Sequence, residues 1–264
     1  MNRFLAGLAV FAAIGAHQAA QAQTPAQPQP QKPTIVLVHG AFAESASWNG
    51  VIRILERDGF PVVAAANPLR GVASDGDYVA RLVAGIRTPV VLVGHSYAGM
   101  VISNAATGQA NVRGLVFVSA FAPERGETAA ALTGRFPGST LVPTLAPPVA
   151  LAGGGSDLYI QQDKFPAQFA ADVPVAEARL MAATQRPIAQ AAFDEAAGEP
   201  AWKTIPSWFV YGENDRNIPP QLLAFMAERA RSRQTVVVKG ASHVALISHA
   251  DVVARLIQTA AVAQ

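Results

Sequence analysis

Short, almost uninterrupted apolar runs recur along the chain, with segments between them in which apolar residues return every three or four positions. Thr34-Ile35-Val36-Leu37-Val38 is bounded by Pro33 and by His39-Gly40, and Val62-Val63 begins a second run after Pro61. Val90-Val91-Leu92-Val93 ends at Gly94, and Leu115-Val116-Phe117-Val118 follows Gly114. Trp208-Phe209-Val210-Tyr211 and Val236-Val237-Val238 complete the set. Runs that are apolar on both faces predict strands covered on both sides, as in a parallel sheet. Helices are expected between them over Trp48 to Arg57, Asp77 to Ile86, Tyr97 to Ala106, Pro220 to Arg231 and Ala250 to Ala260. Leu222, Leu223, Phe225 and Met226 give the fourth window an apolar face, and Pro219-Pro220 suits its first turn. Alternation of strand and helix predicts an α/β chain, a doubly wound, mostly parallel sheet with right-handed crossovers.

The rhythm fails between Pro123 and Thr204, where no strand is evident. Ala-rich pieces, Gly153-Gly154-Gly155 and scattered Phe136, Tyr159, Phe165 and Phe169 occupy this stretch. It reads as a helical lid over the C-terminal ends of the strands, where functional loops gather, with ordinary packing helices as the alternative.

The first residues follow a different logic. Met1 to Ala22 carries one positive charge at Arg3, an apolar run from Phe4 to Ala16 and the small-x-small triplet Ala20-Gln21-Ala22. That is the pattern of a secretory signal cleaved after Ala22. The run is too short for a bilayer core of roughly 30 Å, which needs about 20 residues, so no stable membrane anchor is expected. Gln23 to Pro33 alternates Pro and Gln and predicts a loose tether, leaving 34–264 as the folded domain. The destination is the periplasm or the medium.

Composition narrows the function. Of 264 residues 51% are hydrophobic and 14% charged, enough apolar content for a large core. Basic and acidic residues nearly cancel at 20 against 18, and the basic ones are scattered singly, so no nucleic-acid partner is expected. The absence of Cys excludes a disulfide scaffold, a thiol nucleophile and a zinc–thiolate site.

Gly94-His95-Ser96-Tyr97-Ala98-Gly99 lies directly after one predicted strand and opens a helix. This is the strand–turn–helix setting of a G-x-S-x-G nucleophile elbow, in which small flanking residues let strand and helix approach. Ala98 replaces the last Gly, a methyl that such a turn tolerates. A serine needs a base to take its proton and a third group to orient that base. His243 follows the last strand through Lys239-Gly240-Ala241-Ser242 and is the candidate base; His39, His95 and His249 are read as structural. Asp215, in Tyr211-Gly212-Glu213-Asn214-Asp215, is the candidate orienting acid, with Glu213 as fallback. The order Ser96, Asp215, His243 is that of α/β-hydrolases. An oxyanion hole needs two backbone N–H groups, for which Ala41, after His39-Gly40, and Tyr97 are the candidates. Phe42 stands beside them as a candidate pocket residue.

The segments VLVHGAF (36–42), GHSYAG (94–99), YGENDRNIP (211–219) and GASHVALISH (240–249) together resemble the α/β-hydrolase family. VFVSAFAPERGE (116–127) is similar to its small-esterase and hydroxynitrile-lyase branch, near plant methyl-ester esterases. The resemblance implies triad roles for Ser96, Asp215 and His243, a hole built by Ala41 and Tyr97, and no metal or organic cofactor. Lyases of this branch carry a Lys after the triad His, where this chain has Val244, which weakens that reading. The expected activity is cleavage of a small or medium uncharged carboxylic ester through an acyl-enzyme. The alternatives are a ligand-binding or receptor-like protein on the same scaffold, and a non-hydrolytic triad enzyme such as a lyase or perhydrolase. The sequence does not indicate an oligomeric state.

Overall fold

A computed structural model describes residues 31–263. The expected signal segment and most of the expected tether lie outside the described residues. At the end of the expected tether the Lys32 ammonium bonds the Asp58 carbonyl and sits 4.6 Å from the centre of the Phe60 ring.

Nine strands form among the described residues: β1 Thr34–Val38, β2 Val62–Ala65, β3 Val90–His95, β4 Val112–Val118, β5 Val149–Ala150, β6 Ser156–Leu158, β7 Ile188–Ala189, β8 Ser207–Gly212 and β9 Gln234–Val238. Six of them pair in the order β2-β1-β3-β4-β8-β9, every pair parallel. All residues of β1, β3 and β8 are buried, although successive side chains point to opposite faces, so both faces are covered. Each fully buried Val, Leu or Ile there contributes about 1.5–3 kcal/mol. Helix Val72–Ala84 packs on Ala98–Ala105, and Asn49–Arg57 packs on Ala250–Val262.

The parallel direction puts the loops after β1, β3, β8 and β9 at one edge, and the 82-residue stretch 123–204 leaves the same edge after β4. That stretch is not strandless as its sequence predicts. Besides the helices Ala129–Arg135, Phe165–Phe169, Val175–Thr184 and Gln190–Asp194 it holds a second, antiparallel sheet, β5-β6-β7. Two- and three-residue strands show no readable alternation, and both residues of β5 are exposed. Polar side chains bind this insertion to the sheet domain. Glu195 accepts from the Val72 and Ala73 N–H groups at 2.7 and 2.9 Å, Arg186 grips Glu44 at 2.9 and 3.1 Å, and Arg70 meets Asp157 at 2.7 Å.

Candidate active site

The turn after β3 is built by close approach. Ser96 has φ 57°, a left-handed conformation rare for a residue with a β-carbon. Such strain costs of order 1–3 kcal/mol and persists only where the surroundings impose it. Here they do. A β-carbon on Gly40 would lie 2.6 Å from the Ser96 β-carbon, and one on Gly94 would lie 2.7 Å from the Ala98 carbonyl oxygen. The Ser96 N–H donates to Val118 at 3.2 Å, and its carbonyl accepts from Gly99 and Phe121 at 3.0 and 3.2 Å.

Twenty-eight positions apart, Asp215 and His243 meet with both side chains fully buried. His243 Nδ1 lies 2.7 Å from Asp215 Oδ2, while Asp215 Oδ1 accepts from the Asn217 and Ile218 N–H groups at 2.8 and 3.0 Å. The carboxylate assigns the ring proton to Nδ1 and leaves Nε2 with a lone pair. Nε2 is buried and has no hydrogen-bond partner, the Ser96 hydroxyl included. Free active sites often hold such contacts long until substrate is bound. The His243 ring lies 4.8 Å from that of His95, next to Ser96 in the chain, and 5.1 Å from that of Phe169. The loops after β8 and β9 interlock: a β-carbon on Gly212 would lie 2.2 Å from the Ser242 carbonyl oxygen. Glu213 is exposed and accepts from the Gly240 N–H at 3.1 Å, away from the imidazole.

The other histidines are bonded elsewhere. His39 Nε2 accepts from the Asn67 N–H at 3.0 Å, and burial lowers its pKa. His95 Nε2 donates to the His243 carbonyl at 3.1 Å. Burial first, and the neighbouring His243 second, hold His95 well below the usual imidazole pKa. His249 Nδ1 faces Ser248 Oγ at 2.9 Å at the start of the last helix.

Ser96, Ala41, Tyr97 and Phe42 line one cavity of about 20 Å³, with Phe121, Thr133, Leu141, Phe169, Phe193, Asn217 and Ile218. Among the described residues neither the Ala41 nor the Tyr97 N–H has a hydrogen-bond acceptor. Phe42, at φ 59°, is held by donating its N–H to the Arg186 carbonyl at 3.0 Å. The Tyr97 phenol donates to the buried Asp75 at 3.0 Å, and burial raises the Asp75 pKa against the hydrogen bonds that lower it. Sequence reading missed Asp75, Asn217 and Phe193. Only Phe193 carries a local signal, as an aromatic in the stretch set aside as a lid.

Residues 35–256 match the model of a family described as the alpha/beta hydrolase family. The chain belongs to that family. A curated relative, alpha/beta hydrolase nvfD of Aspergillus novofumigatus, is 27% identical over 252 residues, covering 87% of this chain and 97% of its own. Among solved structures, polyneuridine aldehyde esterase superposes with a TM-score of 0.75 at 18% identity, over 87% of this chain and 99% of that one. A pyrethroid hydrolase from Sphingobium faniae JZ-2 gives 0.68 at 22% identity, over 88% and 98%. At such identities these two matches speak for the fold, and they agree with the six-stranded parallel sheet.

Proposed function

We propose that the protein is an exported serine hydrolase that cleaves small or medium uncharged carboxylic esters without a cofactor. The observation that carries this reading is the fully buried Asp215–His243 pair, beside a strained serine that opens on an apolar cavity. Ser96 Oγ attacks the ester carbonyl while His243 Nε2 takes its proton. The tetrahedral oxyanion is held by the Ala41 and Tyr97 N–H groups. Collapse expels the alcohol, protonated by His243, and leaves Ser96 acylated. Water, deprotonated by the same imidazole, then releases the acid. Asp215 holds the ring throughout. Two structural relatives are named for hydrolysis, polyneuridine aldehyde esterase and a pyrethroid hydrolase, and the first name supports the choice of ester. Removal of residues 1–22 would deliver the enzyme to the periplasm or the medium.

The test is hydrolysis of p-nitrophenyl butyrate and labelling by a fluorophosphonate probe, in the wild type and in Ser96→Ala. Both signals are expected in the wild type and neither in a folded Ser96→Ala. Full activity in that variant would overturn the mechanism. Binding of esters without turnover in the wild type would favour a receptor.

A further inference from the structure

We propose that Asn217 is a specificity residue whose side-chain amide receives a second hydrogen-bond acceptor of the substrate, so that this site selects esters carrying an additional carbonyl. The proposal rests on the hydrolase reading above.

The orientation of the amide follows from a chain of hydrogen bonds. The Arg216 carbonyl can only accept, and it accepts from Gln168 at 3.0 Å, which identifies that atom as the amide nitrogen Nε2. Thr140 Oγ1 donates to the other end of the same amide, Oε1, at 2.8 Å. Gln168 Nε2 also donates to Asn217 at 2.7 Å, so the Asn217 atom turned toward Gln168 must be the acceptor, Oδ1. The Asn217 NH2 group is then on the opposite edge. Asn217 is 96% buried and lines the Ser96 cavity, and among the described residues its Nδ2 finds no acceptor.

The rest of that cavity makes this donor conspicuous. Its walls are otherwise mainly apolar, and the Thr133 hydroxyl is committed to the Ala129 carbonyl at 2.8 Å. Asn217 is itself rigid: its backbone N–H is bonded to Asp215, and its carbonyl accepts from Ser139 Oγ at 2.9 Å. A preorganised donor in a dry site loses its bond when the ligand offers only methylene groups, a discrimination worth roughly 5- to 100-fold. A ketone oxygen placed near the scissile ester restores the bond.

The experiment compares matched acyl chains, p-nitrophenyl 4-oxopentanoate against 4-methylpentanoate and 5-oxohexanoate against 5-methylhexanoate. Each pair is measured in the wild type, in Asn217→Leu and in Gln168→Glu. The ratio of kcat/KM between keto and methyl-branched partners cancels effects common to both. At least one ratio is expected to fall by about 10-fold in Asn217→Leu. It should fall also in Gln168→Glu, where the carboxylate can no longer donate to Oδ1 and the Asn217 amide loses its imposed orientation. Ratios unchanged in a folded form of either variant would overturn the proposal. The same comparison is made by calorimetry with propyl 4-oxopentanoate and propyl 4-methylpentanoate, on Ser96→Ala with and without Asn217→Leu. If the wild type turns over none of these esters, the hydrolase reading fails and the calorimetric ratio decides the role of Asn217.

Discussion

Gly99 abuts the backbone of Phe121 so closely that a β-carbon on residue 99 would lie 2.0 Å from the Phe121 carbonyl oxygen. Ala98, its neighbour, carries its methyl fully buried. The small-residue requirement of the turn is therefore met at 99, one position beyond the G-x-S-x-G pattern. Gly99→Ala must move backbone that also fixes Ser96, because Phe121 donates its N–H to the Ser96 carbonyl at 3.2 Å. Overpacking of this kind costs about 1–3 kcal/mol or more, a loss of roughly 3–10 °C in Tm. Fluorophosphonate labelling should slow at least 10-fold in Gly99→Ala and persist in Ala98→Gly. Equal labelling rates in the two variants would contradict this account.

Asp215 rather than Glu213 faces the imidazole, which separates the two carboxylates of the loop experimentally. Asp215→Asn offers His243 an amide whose protons favour the wrong tautomer. In a serine protease triad the same change lowers kcat roughly 10⁴-fold. A fall of 10³-fold or more in kcat on p-nitrophenyl butyrate is expected, with circular dichroism unaltered. Glu213→Gln should stay within about twofold of wild type. The reverse ranking would move the orienting role to Glu213.

His95 should make the fold acid-sensitive. Its folded-state pKa is depressed by burial, so the unfolded chain takes up a proton that the folded protein refuses. The stability it contributes is fully present above the unfolded imidazole value, about 6.5, and is lost as the pH falls below it. One such group adds a slope of up to about 1.4 kcal/mol per pH unit. Urea unfolding from pH 7.5 to pH 4.5 should show this slope, and His95→Gln should remove about one proton's worth of it. Identical slopes in the two proteins would show that His95 is protonated in the fold.

The inner strands β1, β3, β4 and β8 were readable because each is an apolar run that burial on two faces requires; the edge strands β2 and β9 kept a short Val run although they are only partly covered. The elbow and the two loops behind it were readable because their residue types and order leave few partners for a serine. What escaped is held by polar groups far apart in the chain. The helix expected from Asp77 begins at Val72, since Glu195, 123 positions away from Val72, caps its first N–H groups where Gly71 offers no side chain. Asn217 looks like an ordinary loop residue until Gln168, 49 positions earlier, orients it. Neither Glu195 nor Gln168 carries any local mark of its partner.

The cap itself is testable. Glu195 satisfies two of the orphan donors of helix Val72–Ala84 and places a negative charge at its positive end. Loss of a capping side chain costs about 0.5–2 kcal/mol. Glu195→Ala should therefore lower Tm by a few degrees and raise amide exchange at Val72 and Ala73 more than at the far end of that helix. Uniform exchange along the helix would mean that Glu195 does not hold its first turn.

Access to Ser96 is narrow. The cavity around the serine, about 20 Å³, has room for little more than one water, so an ester enters only if the side chains around it shift. Thr133, Leu141 and Phe193 line this cavity and also a second, largely apolar one of about 510 Å³ bounded by Phe136, Leu145 and Leu158. Three shared side chains make the partition between the two spaces, and Phe193 is the bulkiest. Shortening it should join them and give long acyl chains a place to lie. Phe193→Ala is expected to raise kcat/KM for p-nitrophenyl octanoate several-fold relative to p-nitrophenyl acetate, and Leu141→Ala to act in the same direction. An unchanged octanoate-to-acetate ratio in both variants would place the substrate's route elsewhere, toward the groove between Phe42 and Met181.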